Sequence, residues 1–198
     1  MLVRTRPRIE DVLRRARELV AGGYRVALER GEWPELIARV HAAGLARDCE
    51  LTLPVDRLGA VDAASLAGAG MAVALTGPAD DVDAVAAGLP AARVVVDAGE
   101  PGAEARCRAL ADGRVRLVSG RGAAADLVFV RCLNVLMAAG GMPAIATTDP
   151  RLVAVTGERA AWNDRTPDSW EHVMPYGVRT DQQRRLVAAG YAVRVVLR

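Results

Sequence analysis

Residues 171 to 198, EHVMPYGVRTDQQRRLVAAGYAVRVVLR, contain the clearest indication of the fold of this chain. They read as a strand, an amphipathic helix rich in arginine and glutamine, and a second strand, YAVRVVLR. Valine and leucine fall on both faces of that last strand, a pattern typical of parallel sheets covered by helices. The stretch is therefore predicted to be a βαβ unit whose final strand needs cover on both sides.

The same alternation of apolar strands with helices rich in alanine, leucine and arginine runs through the whole chain. The strand candidates are YRVALE, CELTLPV, MAVALTG, ARVVVDAG, RVRLVSG, MPAIATT, WEHVMPY and YAVRVVLR. Eight strands in this order predict an α/β fold, a compact (β/α)8 barrel at the lower end of the roughly 200 to 250 residues usual for such barrels. A doubly wound open sheet is the competitor, but no G-x-G-x-x-G follows the first strand.

A helix predicted at about Ile9 to Ala21 precedes the first strand, and no eighth helix is expected after the last one. The seam where the eighth strand meets the first then needs another cover on its outer face. The N-terminal helix, a second copy of the protein and a partner are the candidates. We expect a homodimer or a hetero-complex whose interface includes outward residues of 191–197, because exposing several large apolar side chains forfeits roughly 1.5 to 3 kcal/mol each.

Composition lowers the expectation for several classes of partner. With 198 residues, 52% of them hydrophobic, the chain is predicted to form a single barrel domain over residues 1–198. The 26 basic and 24 acidic residues give a net charge of only +2, so neither nucleic acid nor a membrane surface is an expected partner. Without a signal peptide or a bilayer-spanning run, a cytoplasmic location is predicted.

The inventory of reactive side chains is short. Cys49, Cys107 and Cys132 are odd in number and widely spaced, which favours buried structural thiols in a reducing compartment. Lysine is absent, so neither a lysine Schiff base nor a P-loop lysine is available. His41 and His172 are the only histidines, and no metal site is predicted.

The second half of the chain resembles bacterial proline dehydrogenase, a flavin-dependent (β/α)8 barrel. The similarity lies in RVRLVSG (114–120), in MPAIATTDP (142–150) and in DSWEHVMPYGVRTDQQRRLVAAGYAVRVVL (168–197). The family pattern is close to V-R-L-V-K-G-A-Y, then Y-P-A-I-A-T-H-D-P, then L-Y-G-V-R-x-x-L-Q-R-R-L-x-x-x-G-Y-x-V-R-V. The match covers roughly the last 85 residues, and the first half is similar mainly around its second strand. The resemblance implies FAD as the cofactor and proline or a related amino or imino acid as the substrate.

The resemblance also assigns candidate site residues, all at or near the carboxyl ends of the predicted strands. Arg116 matches the arginine that approaches the flavin N5 region, and Gly120 matches the glycine that lets the cofactor approach the backbone. The cofactor-binding set that the resemblance implies is Arg116, Ser119, Gly120, Thr147 and Asp97. The substrate-binding set is Tyr176, Arg179, Asp149 and Asp56. Taken alone, these residues also fit structural roles, with Arg116 as an interior charge paired with Asp97 or Asp149. No catalytic residue is assigned.

This sequence departs from the family pattern where cofactor and substrate contacts are expected. Ser119 replaces the lysine of K-G-A-Y, Thr148 replaces the histidine of A-T-H-D, and Val173 replaces a glutamine. Pro54 stands at the position of the second-strand lysine, and Asp97 at that of a flavin-contacting glutamine. A carboxylate at this position would oppose reduction to the anionic flavin.

The arginine pair of the family's eighth helix, which clamps the substrate carboxylate, has no counterpart here. Arg184 and Arg185 match the preceding helix instead. Two functions follow as hypotheses. One is a catalytically silent proline dehydrogenase-like barrel that acts by binding or assembly, with a small-molecule ligand at the carboxyl rim. The other is a flavin-dependent oxidoreductase with weakened FAD binding that acts on proline or a related amino or imino acid.

Overall fold

The computed structural model contains a closed parallel barrel of eight strands. It describes residues 8–29, 33–60 and 70–198, and the rest of the predicted 1–198 domain lies outside the described residues. Every strand pairs in parallel with the next, and β8 closes the barrel against β1 with Val26 opposite Val195. The strands are β1 (Arg25–Leu28), β2 (Cys49–Pro54), β3 (Ala72–Thr76), β4 (Arg93–Asp97), β5 (Val115–Val118), β6 (Ala144–Ala146), β7 (Glu171–Pro175) and β8 (Val193–Leu197). The predicted (β/α)8 barrel is confirmed, and the open-sheet alternative is wrong.

Seven α-helices are described, and six of them connect successive strands. They are α1 (Ile9–Ala21), α2 (Trp33–Ala42), α3 (Ala79–Ala87), α4 (Ala103–Ala109), α5 (Ala123–Ala138), α6 (Pro150–Trp162) and α7 (Thr180–Ala188). A 3-10 helix, Val55–Ala60, follows β2. Helix α1 is the predicted extra helix ahead of β1, and no helix follows β8 among the described residues, which end at Arg198. These features match the predicted fold class.

The two faces of the strands carry different kinds of side chain. Outward residues such as Leu51, Leu53 and Ile145 belong to one large apolar core together with helix residues such as Phe129 and Leu133. The inward apolar residues form a separate and smaller cluster of Ala27, Ala144, Val173 and Val196. Large side chains therefore fill the layer between sheet and helices, where most of the hydrophobic stabilisation arises. The narrow interior accepts small apolar residues and, as described below, a set of charged ones.

Helix α1 covers the seam between β8 and β1. It contacts both strands and α2, and its Leu13 and Ala16 are buried. All residues of β8 are buried as well, so the valine and leucine side chains on its outer face are not left in water. Of the three candidates for covering the seam, the structure shows the N-terminal helix in that position. The seam then needs no partner for its stability, and association of the chain stays a prediction.

An aromatic cluster on the outer side of β7 and β8 encloses a buried histidine. The ring centroids of Trp170 and His172 are 4.6 Å apart, and those of His172 and Tyr191 are 6.0 Å apart. His172 is 1% exposed, and its Nδ1 has no hydrogen-bond partner in the described residues. Burial lowers the pKa of His172 from 6.5 to about 4. The imidazole is therefore neutral in the folded protein at neutral pH.

We expect His172 to make the fold acid-sensitive. The unfolded chain binds a proton at this residue near pH 6.5, whereas the folded chain binds it only near pH 4, so stability is lost as pH falls through this window. The shift corresponds to about 3 kcal/mol at pH 4 relative to pH 7. Urea unfolding at a series of pH values measures it: His172→Leu should flatten the slope between pH 6.5 and 4. Val195→Ala, a core control without a titratable group, should lower stability and keep the slope. An unchanged slope in His172→Leu would contradict this assignment.

In the described part of the chain, no helix has the combination of length and apolar character needed to cross a membrane.

Candidate functional site at the carboxyl end of the barrel

The structure places every predicted site residue except Arg116 at the carboxyl end of a strand or in the segment that follows it. Because the strands are parallel and closed, residues that end or follow a strand share one rim. Arg116 points into the barrel from β5. The residues at the rim are Asp56 after β2, Asp97 at the end of β4, Ser119 and Gly120 after β5, Thr147 and Asp149 after β6, and Tyr176 and Arg179 after β7. Their roles toward a ligand stay predictions.

Arg116 is held by protein groups inside the barrel. Its Nη1 donates to Thr52 Oγ1 at 3.0 Å and lies 3.6 Å from Glu29 Oε1, and its Nη2 donates to Glu50 Oε1. The side chain is 3% exposed, and its Nε has no partner among the described residues. The prediction that Arg116 is a charged residue inside the barrel is therefore confirmed. The prediction that it pairs with Asp97 or Asp149 is wrong. The partners come from β2 and from the end of β1, on strands that the sequence does not place beside β5.

The contact between Arg116 and Glu50 belongs to a larger buried ion-pair network, which we call the interior network. Its members are Glu50, Arg93, Arg116, Glu171 and Arg194. Arg93 joins the two carboxylates, with Nε 2.9 Å from Glu50 Oε2 and Nη2 3.0 Å from Glu171 Oε1. Arg194 contacts Glu171 through Nε at 2.8 Å and Nη2 at 3.2 Å. Three arginines and two glutamates from five strands thus fill the middle of the barrel.

Backbone carbonyls accept hydrogen bonds from other arginine nitrogens of the interior network, and one further arginine at the amino end donates to its Glu171 carboxylate. Arg194 Nη1 donates to the carbonyl of Val26 at 2.9 Å, and Arg93 Nη1 donates to that of Met142 at 3.1 Å. Arg25, at the amino end of β1, donates to Glu171 Oε2 at 3.0 Å. Buried charges are tolerated when they are both paired and hydrogen-bonded, and this network meets both conditions at most of its atoms.

Both carboxylates of the interior network stay ionised in the folded chain. Burial by itself raises the pKa of Glu171, but Arg194 and Arg93 outweigh it and bring the pKa down to about 2. Burial also raises the pKa of Glu50, and Arg194, Arg93 and Arg116 together hold that pKa below its usual range. Because the folded pKa of Glu171 lies below the value of 4.5 for the free group, its contribution to stability is lost as pH falls from about 4.5 toward 2.

Four members of the interior network, all except Arg116, were not predicted from the sequence. A usable signal was present, because Glu50 and Arg194 interrupt strands that are otherwise apolar, CELTLP and VRVVL. A charged residue at alternate positions of a doubly buried strand has to face the barrel interior, where only another charge can compensate it. The identities of the pairs, by contrast, depend on closure of the barrel.

The loops after β4 and β5 touch each other at two glycines. A Cβ added to Gly120 would lie 2.8 Å from the backbone nitrogen of Gly99 and 2.7 Å from the Cβ of Ala125. Asp97, at the end of β4, accepts a hydrogen bond from the Gly99 amide at 2.7 Å and so shapes the same loop. The space beside the Gly120 backbone, which the resemblance assigns to a cofactor, is taken here by the loop after β4.

The residues that follow β6 organise the start of α6. The Asp149 carboxylate accepts from the Arg151 amide at 2.8 Å as an N-cap and from Arg151 Nη2 at 3.0 Å. Hydrogen bonding from Arg151 lowers the pKa of Asp149. Thr147 is 4% exposed, and its Oγ1 accepts from the Asp149 amide at 3.2 Å. Proline at the first position of the helix completes this start signal, so both side chains have structural roles.

A groove of about 220 Å³ opens at the rim between α1 and the ends of β7 and β8. Arg15 of α1, Tyr176 and Arg198 line it together with apolar residues. The Arg15 guanidinium lies over the Tyr176 ring, 5.2 Å from its centroid, and Tyr176 is 46% exposed. Arg198 Nε donates to Glu29 Oε2 at 2.6 Å. We call this feature the rim groove. No sequence signal connected Arg15 with it, because α1 is remote from β7 in the chain.

The other predicted site residues lie around the same rim. Arg179 is exposed and takes a left-handed conformation, with φ 54°, at the start of α7. Asp56 is exposed in the 3-10 helix, and Ser119 is half-buried after β5. Arg121, also exposed, follows in the loop before α5. The rim therefore presents arginine side chains from several loops.

A larger groove, of about 430 Å³, lies at the opposite, amino end of the barrel and includes Arg25, Asp168 and Tyr191. Its larger volume favours the groove at the amino end as a ligand site. Its position favours the rim groove, because the active sites of (β/α)8 enzymes lie at the carboxyl end of the barrel. We take the rim groove as the candidate site because it combines two guanidinium groups with an exposed tyrosine. Within residues 8–29, 33–60 and 70–198, no group of three or more His, Cys, Asp or Glu side chains is placed to hold a metal ion.

Comparison with solved structures identifies the same fold in proteins of low sequence identity. Proline utilization A (PutA) from Bdellovibrio bacteriovorus, in a crystal structure of the protein inactivated by N-propargylglycine, matches with a TM-score of 0.75 at 15% identity. The match covers 94% of this chain and 29% of that chain, so this chain spans less than a third of that protein. The proline dehydrogenase-like resemblance is confirmed at the level of the barrel fold.

A second solved structure is more distant. A protein from Coccidioides immitis, provisionally assigned as a fructose-1,6-biphosphate aldolase, matches with a TM-score of 0.55 at 17% identity, over 94% of this chain and 77% of that chain. No protein-family model matches this chain, and no curated protein does. The comparisons therefore establish the barrel fold.

Proposed function

We propose that this chain is a catalytically silent proline dehydrogenase-like barrel that binds a small anionic molecule in the rim groove. The observation that carries the proposal is the state of Arg116. Its two terminal nitrogens are engaged by Thr52, Glu50 and Glu29 inside the barrel. A guanidinium held in this way is not free to approach a flavin without breaking buried ion pairs, a loss that costs about 3 to 5 kcal/mol.

Two further contacts favour the silent barrel. The Gly120 backbone packs against Gly99, and the Asp97 carboxylate is used by the Gly99 amide. The residues that the resemblance assigns to the cofactor therefore do not fit FAD in this arrangement. Flavin binding would require both loops to move apart, and it remains the competing outcome of the test below.

The chemistry of the rim groove favours an anionic ligand such as a small carboxylate or inorganic phosphate. Arg15 and Arg198 offer planar, permanently charged donors, and guanidinium groups pair well with carboxylate and phosphate oxygens. The Tyr176 ring supplies an apolar wall, and Glu29 is the carboxylate that contacts Arg198. An anion that displaces Glu29 or binds beside it would bridge α1 and the end of β8.

Spectroscopy and calorimetry test the two halves of the proposal. The purified protein should show no flavin absorption bands, no uptake of added FAD and no proline-dependent reduction of a dye. Titration with succinate or inorganic phosphate should release or absorb heat, and Arg15→Gln together with Arg198→Gln should weaken binding at least tenfold. Arg14→Gln, on the exposed side of α1, is the matched control and should bind as the parent protein does. A yellow protein that oxidises proline would overturn the silent barrel, and absence of binding to both anions would overturn the rim site.

We also propose a cytoplasmic location. The location is supported by three free, buried cysteines, which suit a reducing compartment.

Association of the chain into a homodimer or hetero-complex is a separate proposal. A complex near the β8/β1 seam would have to use the outer face of α1 or displace that helix. Sedimentation velocity of the purified chain decides between monomer and dimer.

A further inference from the structure

Glu29 lies between the rim groove and the interior network. Its backbone amide donates to the carbonyl of Leu197 at 3.1 Å, which fixes its position where β1 meets β8. Its Oε2 accepts from Arg198 Nε at 2.6 Å, and its Oε1 lies 3.6 Å from Arg116 Nη1. The Arg198 side chain is 60% exposed in the groove, whereas that of Arg116 is 3% exposed inside the barrel. One carboxylate, itself 21% exposed, thus stands between an arginine of the groove and an arginine of the network.

We propose that Glu29 is an internal competitor for the anion of the rim groove. A carboxylate or phosphate ligand takes the place of Glu29 on Arg198, and the released side chain turns inward and pairs with Arg116. The competition rests on the anion site of the proposed function, and Glu29 is the residue that regulates that site. Binding at the rim is thereby coupled to the charges inside the barrel.

The contact of Glu29 with Arg198 is open to exchange. Exposed ion pairs between flexible side chains are weak, because water screens the charges. Within the described residues, Glu29 pairs with Arg198 and Arg116 but not with Arg15, the second guanidinium of the groove. An external anion that contacts both Arg15 and Arg198 makes one more charge-assisted contact there than Glu29 does. The ligand can therefore displace the internal carboxylate, at a cost that lowers its apparent affinity.

The inner position is favourable for a further carboxylate. The interior network holds three arginines and two glutamates, so it carries an excess of positive charge. Arg116 is the member whose Nε is buried without a partner among the described residues. Glu29 Oε1 has to move by less than about 1 Å to come within hydrogen-bond distance of Arg116 Nη1. A rotation of the side chain supplies this shift while the backbone hydrogen bond to Leu197 is kept.

Isothermal titration calorimetry with inorganic phosphate tests the competition in the full chain. Glu29→Gln should bind phosphate at least threefold more tightly than the parent protein, because the internal carboxylate is gone. The matched control is Glu10→Gln, which removes the same charge from α1 at a contact of 3.6 Å with Arg39. It should bind phosphate as the parent protein does. Equal affinities of the parent protein and Glu29→Gln would overturn the competition and leave the rim site in place, whereas no binding by either would overturn both.

Two further variants separate displacement from a general effect of charge. Glu29→Asp keeps the charge but is one methylene too short to hold Arg198, so it should also bind phosphate more tightly than the parent protein. Arg116→Met removes the inner partner and should weaken phosphate binding at least threefold in the parent background, but not in the Glu29→Gln background. Circular dichroism checks the fold of each variant, and if Arg116→Met does not fold, Glu29→Asp still decides the outcome. Parent-like binding by Glu29→Asp, or an equal loss from Arg116→Met in both backgrounds, would show that Glu29 does not exchange between the two arginines.

Discussion

Replacing Glu50 with glutamine should lower the free energy of unfolding by about 3 to 5 kcal/mol. Glutamine keeps the size of the side chain and removes its charge, so Arg93 and Arg116 each lose their contact with a buried carboxylate. Arg194, 3.9 Å away, loses part of its compensation as well. Glu171 would then be the one carboxylate left in the interior network for three arginines, and Arg116 would keep only the Glu29 carboxylate, 3.6 Å away. The loss is a large share of the ~5 to 15 kcal/mol by which a domain of this kind is stable.

Urea unfolding followed by circular dichroism measures this loss. The matched control is Glu104→Gln, which removes a contact of 2.6 Å to Arg108 at a position where Glu104 and Arg108 are 35% and 66% exposed. It should cost less than about 1 kcal/mol. A second substitution, Arg116→Met in the Glu50→Gln background, should recover part of the lost stability because it removes a charge left without its partner. Equal effects of Glu50→Gln and Glu104→Gln would show that the interior network is not buried as described.

Placing a charge on the inner face of α1 should have the second large effect. Leu13 is 6% exposed and packs into the apolar core at the seam that α1 covers. Leu13→Asp removes that burial and brings in a carboxylate that must either be desolvated or pull the helix away from β8 and β1. We expect a loss of at least about 4 kcal/mol, or no cooperative unfolding transition at all.

Arg17→Asp introduces the same side chain on the exposed face of the same helix and serves as the control. It should cost under about 1 kcal/mol, since surface substitutions away from specific contacts have small effects. Sedimentation velocity should find more self-association in Leu13→Asp than in Arg17→Asp, because the apolar outer face of β8 is uncovered only in the first. Equal stability of the two variants would mean that α1 does not protect the seam.

The position of the candidate site could be predicted from the sequence, because strand order and parallel pairing put Asp97, Thr147 and Tyr176 at one rim. The contacts of these side chains could not be predicted. Asp149 and Thr147 start a helix, and Gly120 accommodates the loop after β4. A motif specifies where a residue lies along the chain, but a hydrogen bond depends on which loop arrives beside it. Loops from different strands are brought together only by closure of the barrel.

The eight strands, their parallel order and the extra helix α1 could be predicted from local sequence, because hydrophobic periodicity and the burial of both strand faces are properties of short segments. Two features became visible only in the folded chain: α1 covers the seam, and Arg116 pairs with Glu50 and Glu29 rather than with Asp97 or Asp149. Both have the same cause. A buried charge or an apolar face must find a partner, but the partner that is near enough depends on how strands far apart in the chain close into one barrel.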